Sequence, residues 1–371
     1  MDLSLTEEQE MLRDGVRRFV AENYSFEMRR SLVTSDLGYS QAHWQTFAEL
    51  GWLALGLPED AGGLGGSLVD TALVMEVLGS ALVLEPYASN VVLSARLLER
   101  ADNRELRART LTALAQGRAR VALAHFERDA RYSLSHVETA AIRQGSDYLM
   151  RGRKFLVLDG TAADQLIVSA RLGEALGLFL IDRRAAGVEV ESYRLMDDTR
   201  AADVMLQDVE VSGSSLLMSG PDVPAVLEEA IDRFVLAKVA ESLGAIEAVL
   251  EMTSEYVKSR IQFGQPLIKF QAVQHRLAEM FVEVQEMRSI LYCGLAHIDA
   301  EVPERRRAVS AAKVVAGGAG RLVAGLGIQL HGGIGMTEEY RVGHYFKKLV
   351  TMDKLFGDSD YHLARLAASA R

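Results

Sequence analysis

The sequence predicts a mainly α protein with a central β domain. It divides into an N-terminal helical domain over 1–118, a middle antiparallel β barrel or sandwich over 119–215, and a C-terminal four-helix bundle over 222–371. Three observations predict this. Apolar residues recur at helical spacing as far as residue 115. The period then shortens to runs of four to eight residues divided by turn signals. From residue 225 two helical patterns appear that are much longer than the earlier ones. A chain of 371 residues suits two or three such units.

Taken in order, Ser4-Leu5-Thr6-Glu7 and Thr6-Glu7-Glu8-Gln9 both fit a capping box, and Leu12, Val16, Phe19 and Val20 follow at helical spacing. A second helix is expected over 41–50. The run Leu57-Pro58-Glu59-Asp60-Ala61-Gly62-Gly63-Leu64-Gly65-Gly66 has four glycines in five positions and reads as a tight loop. Helices resume over 69–82, 88–100 and 104–115. Strands are expected from Val121 and over 137–142, 148–157, 165–169, 176–181, 188–193 and 203–211, a regular spacing that suits an antiparallel domain. Residues 213–224, rich in Ser, Gly and Pro, read as a connection.

A helix over 225–260 would be ~54 Å long, and its nearly all-round apolar character means contact on several sides. A second long helix, over 269–298, carries Phe270, Val273, Leu277, Phe281, Val284 and Met287 on one stripe. A charged turn over 301–307, a small-residue helix over 308–328 and a helix over 339–349 follow. Phe356-Gly357-Asp358-Ser359-Asp360 then turns the chain into a short terminal helix.

The net charge of −10 argues against a nucleic-acid partner. The 49% hydrophobic and 25% charged content is that of a globular protein with a sizeable core. The one cysteine, Cys293, reads as a small buried hydrophobe and offers neither a disulfide framework nor a zinc spacing. The first ten residues hold four acids (Asp2, Glu7, Glu8 and Glu10) and no base, the opposite of a leader. No run looks apolar enough to cross a bilayer. The expectation is a cytoplasmic protein without membrane insertion.

The most chemically dense stretch is 256–274, a corner between the two long helices. Lys258, Arg260, Gln262, Gln265, Lys269 and Gln271 gather there, groups that suit phosphate oxygens and hydroxyls. On its own, Gly264-Gln265-Pro266 is only a turn, and Gly332-Gly333 only a helix stop.

Together these pieces resemble the acyl-CoA dehydrogenase family over the whole chain. The match is carried by Leu57 to Gly65, by GRKFLVLDGTAADQLIVSAR over 152–171, by RIQFGQP with FQAVQ over 260–274, and by QLHGGIGMT over 329–337. The ending LFGDSDYH over 355–362 resembles a bacterial branch of pimeloyl-CoA-type small subunits and of partner chains in two-gene steroid side-chain dehydrogenases. The resemblance implies a helical, β, helical fold that binds FAD. Arg260 and Phe263 match residues that hold the pyrophosphate and adenine end, with Gln262 and Gln271 in the same set. Gln329, Gly332 and Gly333 match a strip that reaches the FAD of a neighbouring subunit, and Ser359 matches a further flavin contact. The implied partners are an acyl-CoA substrate, an electron-transfer flavoprotein and other subunits of a homo- or hetero-oligomer, dimer or tetramer.

The implied reaction is α,β-desaturation of an acyl-CoA thioester, which needs a carboxylate base. Most members carry a Glu after an aromatic and before a Gly near the C-terminus. Here Phe356 is followed by Gly357, then Asp358. Isovaleryl-type members place the base on the first long helix just before an Arg, and here that pair is Asp232-Arg233, with Arg233 at the substrate. Three alternatives stand: Asp232 as base, Asp358 as base, or a base outside this chain. The usual Thr-Glu-Pro loop reads LAHFERDARY over 123–132: Glu127 stands for the Glu, and the Pro and the following Gly-Ser are missing. His125 reads as a polar strand-end residue. Competing functions are a non-catalytic or half-catalytic subunit of a heteromer, and a flavin oxidase or monooxygenase on the same scaffold.

Overall fold

The computed structural model describes residues 4–369; Asp2, one of the N-terminal acids counted above, lies outside them. Contacts divide the chain into two units, one of Met1–Ser31, Ala72–Val83 and Val235–Arg371, the other of Leu32–Thr71 and Leu84–Phe234.

The early helices are α1 (Glu7–Asn23), α2 (Phe26–Val33), α3 (Gln41–Glu49), α4 (Leu68–Ser80), α5 (Ala95–Glu99) and α6 (Arg104–Ala115). Of the two overlapping capping boxes, Thr6-to-Gln9 forms: Gln9 N–H donates to Thr6 Oγ1 at 3.2 Å, and Thr6 N–H donates to Gln9 Oε1 at 3.1 Å. Helix α2 was not expected. The expected helix over 88–100 opens instead with a π-helical run, Ala88–Ser94, ahead of α5.

The strands are β1 (Val121–Ala124), β2 (Ala140–Gln144), β3 (Asp147–Leu158), β4 (Gln165–Leu172), β5 (Ala175–Asp182), β6 (Val188–Arg194), β7 (Arg200–Val211) and β8 (Leu216–Gly220). They form one sheet in the order β6-β7-β3-β2-β4-β5-β8, with β1 beside β4. Two expectations are corrected. The sheet is mixed, not antiparallel, because β1 and β4 run parallel from Val121↔Gln165 to Ala124↔Val168. The long connection that parallel strands require is supplied by the β2–β3 hairpin between them. The segment read as a Ser/Gly/Pro connection contains β8, which pairs with β5 through Leu216 and Met218. Ala122, Met150, Val168, Phe179 and Val204 are in the core of this unit.

The remaining helices are α7 (Val223–Ser259), α8 (Gln271–Ala296), α9 (Val302–His331), α10 (Val342–Lys354) and α11 (Ser359–Ser369). Helix α9 packs on α8, α10 and α11. Three expectations change here. The charged turn over 301–307 is the opening of α9, with Pro303 in its first turn, where a missing N–H costs nothing. The stretch Val302–Met336 is apolar enough by length and composition to pass for a membrane span, with a mean hydropathy of 1.3 over its best window, but half of that window is buried. Its Ala and Gly residues are what let neighbouring helices approach. Cys293 is exposed on α8, not buried.

In the first unit α7 lies against α4 at backbone distance. A Cβ on Gly244 would stand 1.7 Å from the Glu76 carbonyl oxygen, and one on Gly79 would stand 2.0 Å from that of Glu241. Beside this crossing the buried Glu241 carboxylate pairs with Lys348 at 2.7 Å and with Lys238. Burial alone would raise its pKa, but the two ammonium groups outweigh that and lower it.

Gly244→Ala is therefore expected to destabilise the protein by about 3 kcal/mol, because two backbones cannot separate locally. Gly15→Ala, on α1 with nothing within 4 Å, should be neutral or stabilising by about 0.5–1 kcal/mol. Urea midpoints of the two variants check this; a Gly244→Ala midpoint equal to that of the parent contradicts it.

Candidate active site

The corner after α7 is a miniature hairpin. Residues Ile261–Gln262 pair antiparallel with Gln265–Pro266, and the two turn residues, Phe263 and Gly264, have φ of +53° and +80°. Both central residues of such a turn need positive φ, which suits Gly and strains Phe. Phe263 is 90% exposed, with Phe270 edge-on at 6.1 Å. Arg260, Gln262 and Gln271 are exposed, and the Arg260 guanidinium makes no ion pair among the described residues. Helix α8 begins at Gln271 with no side-chain cap on its first N–H groups. An unpaired guanidinium, an uncapped helix start and an open aromatic face fit a dinucleotide's diphosphate and base.

The second strip lies at the end of α9. Gly332 closes the helix with φ +66°, and Gln329, Gly332 and Gly333 are exposed. A Cβ on either glycine would meet nothing within 4 Å, so nothing in the chain itself requires Gly333; the open space faces outward. The structure joins the roots of the two strips through a residue that the sequence reading passed over. Buried His331 stacks on Tyr256, in the last turns of α7, at 4.4 Å between ring centroids, and on Tyr340 at 4.9 Å. Its Nδ1–H donates to the Gly327 carbonyl at 2.7 Å, which leaves Nε2 to accept from the Tyr340 hydroxyl at 3.1 Å. Burial lowers the His331 pKa and keeps the ring neutral. The His331-to-Tyr340 spacing across a Gly-rich turn was the only signal available in the sequence.

At the terminal turn, Phe356 and Gly357 have φ of +56° and +111°. Buried Lys313 donates to the carbonyls of Met352 and Leu355, the latter at 2.9 Å, and burial pushes its pKa down to about 7. Asp358 Oδ1 accepts the Tyr361 N–H at 3.0 Å, capping α11, and Oδ2 stands 3.5 Å from Lys354. The backbone hydrogen bond is the larger cause of its lowered pKa. The Ser359 hydroxyl donates inward to Asp353 at 2.7 Å, in space left by Gly317.

In the other unit, Asp232 is 1% exposed on α7. Arg233 Nε donates to Glu229 at 2.5 Å, and Glu229 is also held by Arg96 at 2.9 Å. At the exit of β1, Glu127 turns inward. Its carboxylate accepts from buried Lys154 at 2.7 Å, from the Thr139 hydroxyl at 2.7 Å, and from the backbone of Glu138 and Thr139. Burial alone would raise its pKa; the Lys154 ammonium and these hydrogen bonds lower it. Lys154 also donates to the His125 carbonyl and to Ser169, whose hydroxyl lies 2.9 Å from His125 Nδ1. His125 is thus built into the sheet's interior, a role that strand periodicity did not reveal. An open cleft of about 810 Å³ on the same sheet, lined by Ile142, Arg143, Tyr148 and Arg171 among others, contains none of the residues predicted for the site.

Residues 6–118 match the family described as acyl-CoA dehydrogenase, N-terminal domain, and 225–370 the acyl-CoA dehydrogenase, C-terminal domain. The acyl-CoA dehydrogenase IpdE2 of Mycobacterium tuberculosis is 32% identical over 92% of this chain and 91% of its own. The chain belongs to the acyl-CoA dehydrogenase family. The ChsE4-ChsE5 complex of the same organism matches 100% of this chain and 99% of the solved chain, at 27% identity and a TM-score of 0.90. Butyryl-CoA dehydrogenase of Megasphaera elsdenii covers both chains fully with a TM-score of 0.92 at 23% identity, a likeness of fold. Membership bears out the expectation of an FAD-dependent acyl-CoA dehydrogenase, and the exposed corner and glycine strip of this chain fit that cofactor.

The buried imidazoles predict a pH dependence. Burial first, then neighbouring cations, pushes His125 and His362 down to about 3. Unfolded imidazoles take up protons near pH ~6.5. Between these limits the unfolded state binds more protons, so stability rises with pH and is lost as pH falls from about 6.5 towards 3. The urea midpoint should decline steadily as pH falls below ~6.5, more gently in His362→Gln. A midpoint unchanged down to pH ~4 would contradict this.

Proposed function

We propose that this acyl-CoA dehydrogenase removes the α-proton of its acyl-CoA substrate with Asp232. The supporting observation is the shape of position 357. A Cβ there would stand 2.5 Å from Tyr361 Cδ1 and 2.6 Å from His362 Nε2, so the terminal turn has no room for a base. Asp358 is spent on capping α11 and pairing with Lys354, and its lowered pKa makes it a poorer proton acceptor. Asp232, buried and directly before Arg233, keeps the order expected of a base on the first long helix. FAD, when bound, supplies the acceptor for the hydride that leaves the β-carbon. Arg260 would hold its diphosphate, Phe263 its adenine end, and Gln262 and Gln271 its polar edges. Gln329, Gly332 and Gly333 would reach the cofactor of a neighbouring subunit, and Ser359, held by Asp353, would support the flavin. Arg233, oriented by Glu229, would bind the substrate. An electron-transfer flavoprotein would be the acceptor of the electrons.

The test is anaerobic mixing of the FAD-loaded protein with a panel of acyl-CoA thioesters, followed by loss of the flavin's visible band. Asp232→Asn should slow that loss on the order of 10²–10⁴-fold. An unchanged rate removes Asp232 from the role. Arg260→Ala and Phe263→Ala should each release FAD on desalting while the fold, read by circular dichroism, stays intact; full retention in both would reject the corner as the clamp. The ChsE4-ChsE5 neighbour, a complex of two different chains, favours a second reading, a heteromer whose partner carries the base. Activity that appears only on co-expression with a paralogous chain, and that survives Asp232→Asn, would establish that reading over the first.

A further inference from the structure

The terminal turn is held in an unfavourable shape by a residue that the reaction itself does not need. Phe356 has φ +56°, a region that bulky L-residues avoid, and it is buried. Such a conformation persists only where its surroundings over-determine it. Lys313 fixes the carbonyls just before it, Met352 and Leu355. The Phe356 carbonyl itself lies 3.3 Å from His362 Nε2.

Proton bookkeeping sets the direction of that contact. The Ser310 hydroxyl accepts from Arg365 at 3.4 Å and lies 3.1 Å from His362 Nδ1. Its single proton has no other acceptor among the described residues, so it goes to Nδ1. The neutral ring then carries its own proton on Nε2 and donates it to Phe356. Both nitrogens are engaged, and His362 is 1% exposed. The same ring edge faces Gly357: an added Cβ would stand 2.6 Å from Nε2 and 2.9 Å from Cδ2, with Tyr361 Cδ1 at 2.5 Å beside them.

We infer that His362 is a positioning residue of the terminal turn: its imidazole holds the Phe356 carbonyl and fills the space into which any side chain at position 357 would grow. The turn therefore offers only backbone at 357, and adding Glu there cannot restore a base while His362 remains. This rests on the reading that the turn faces the reacting molecules, and not on which carboxylate is the base.

Two measurements on the FAD-loaded full chain test it. The first is a stability cycle with Gly357→Ala, His362→Ala and the double variant, by urea unfolding. The backbone strain of Ala at φ +111° is common to both backgrounds, so the difference isolates the ring. Gly357→Ala should raise the unfolding constant at least ~10-fold more with His362 present than absent. An equal effect in both backgrounds overturns the inference.

The second measurement separates positioning from filling. His362→Gln places an amide N–H where Nε2 donates, whereas His362→Asn replaces only the Nδ1 side. The flavin spectrum on addition of whichever acyl-CoA perturbs the parent should be preserved in Gln and changed in Asn. If Gln and Asn change it alike, the ring only fills space and the positioning role is wrong. If no acyl-CoA perturbs the parent, it is the proposed function that fails, and the stability cycle still decides the inference.

Discussion

The contact on which the first unit depends is between two backbones. At Gly244 and Gly79 there is no side chain between α7 and α4, so the helices meet at a separation that no rotamer change can adjust. That fixes the rotation of α7 about its axis. Once Gly244 faces α4, Glu241 must face the lysines of α7 and α10, and Tyr256 must face His331. The ion pair at Glu241 contributes less to stability than its short distances suggest, because desolvating three charged groups costs much of what their attraction returns. Its value lies in specificity: a rotated α7 would part the buried carboxylate from Lys348 of α10.

The buried histidines show how proton accounting links distant segments. His331 and His362 are both neutral, and each has its tautomer set by a neighbour. His331 gives its proton to a helix carbonyl and takes one from Tyr340, while His362 takes one from Ser310 and gives one to Phe356. An imidazole in this state is a rigid two-ended connector, which suits it to joints between helix ends and turns. A lysine in either place would need a counter-charge, and an amide would lack the flat face that stacks between Tyr256 and Tyr340.

Much of the fold was legible because it is local. Capping chemistry placed the start of α1, and apolar periodicity gave the long helices to within a few residues. What the sequence hid is non-local or ambiguous in composition. The parallel pairing of β1 with β4 depends on residues more than a hairpin apart, and β8 looks like a linker because Ser and Gly flank its Leu216, Leu217 and Met218. The charged start of α9 looks like a turn because exposed first turns and loops share a composition. At the site, the corner's groups were visible as a cluster, but its hairpin geometry was not, since Phe263 is an unexpected residue for positive φ. That position 357 offers no carboxylate could be read from one letter. That the position is also closed by His362 could not, because it depends on where a ring five residues further along α11 comes to rest. Glu127 was read as a remnant of a ligand loop; it is the counter-ion of a lysine 27 residues further along the chain, in the fold's interior.

Helix α9 has a consequence for the chain before it is finished. Its Ala- and Gly-rich surface is covered on one side by α8, which precedes it, and on the others by α10 and α11, which follow. During synthesis the segment leaves the ribosome with a composition that passes for a membrane span and with part of its cover not yet made. The composition that allows close helix packing in the finished protein thus leaves α9 with apolar surface to cover before the chain is complete, and it rewards early docking on α8.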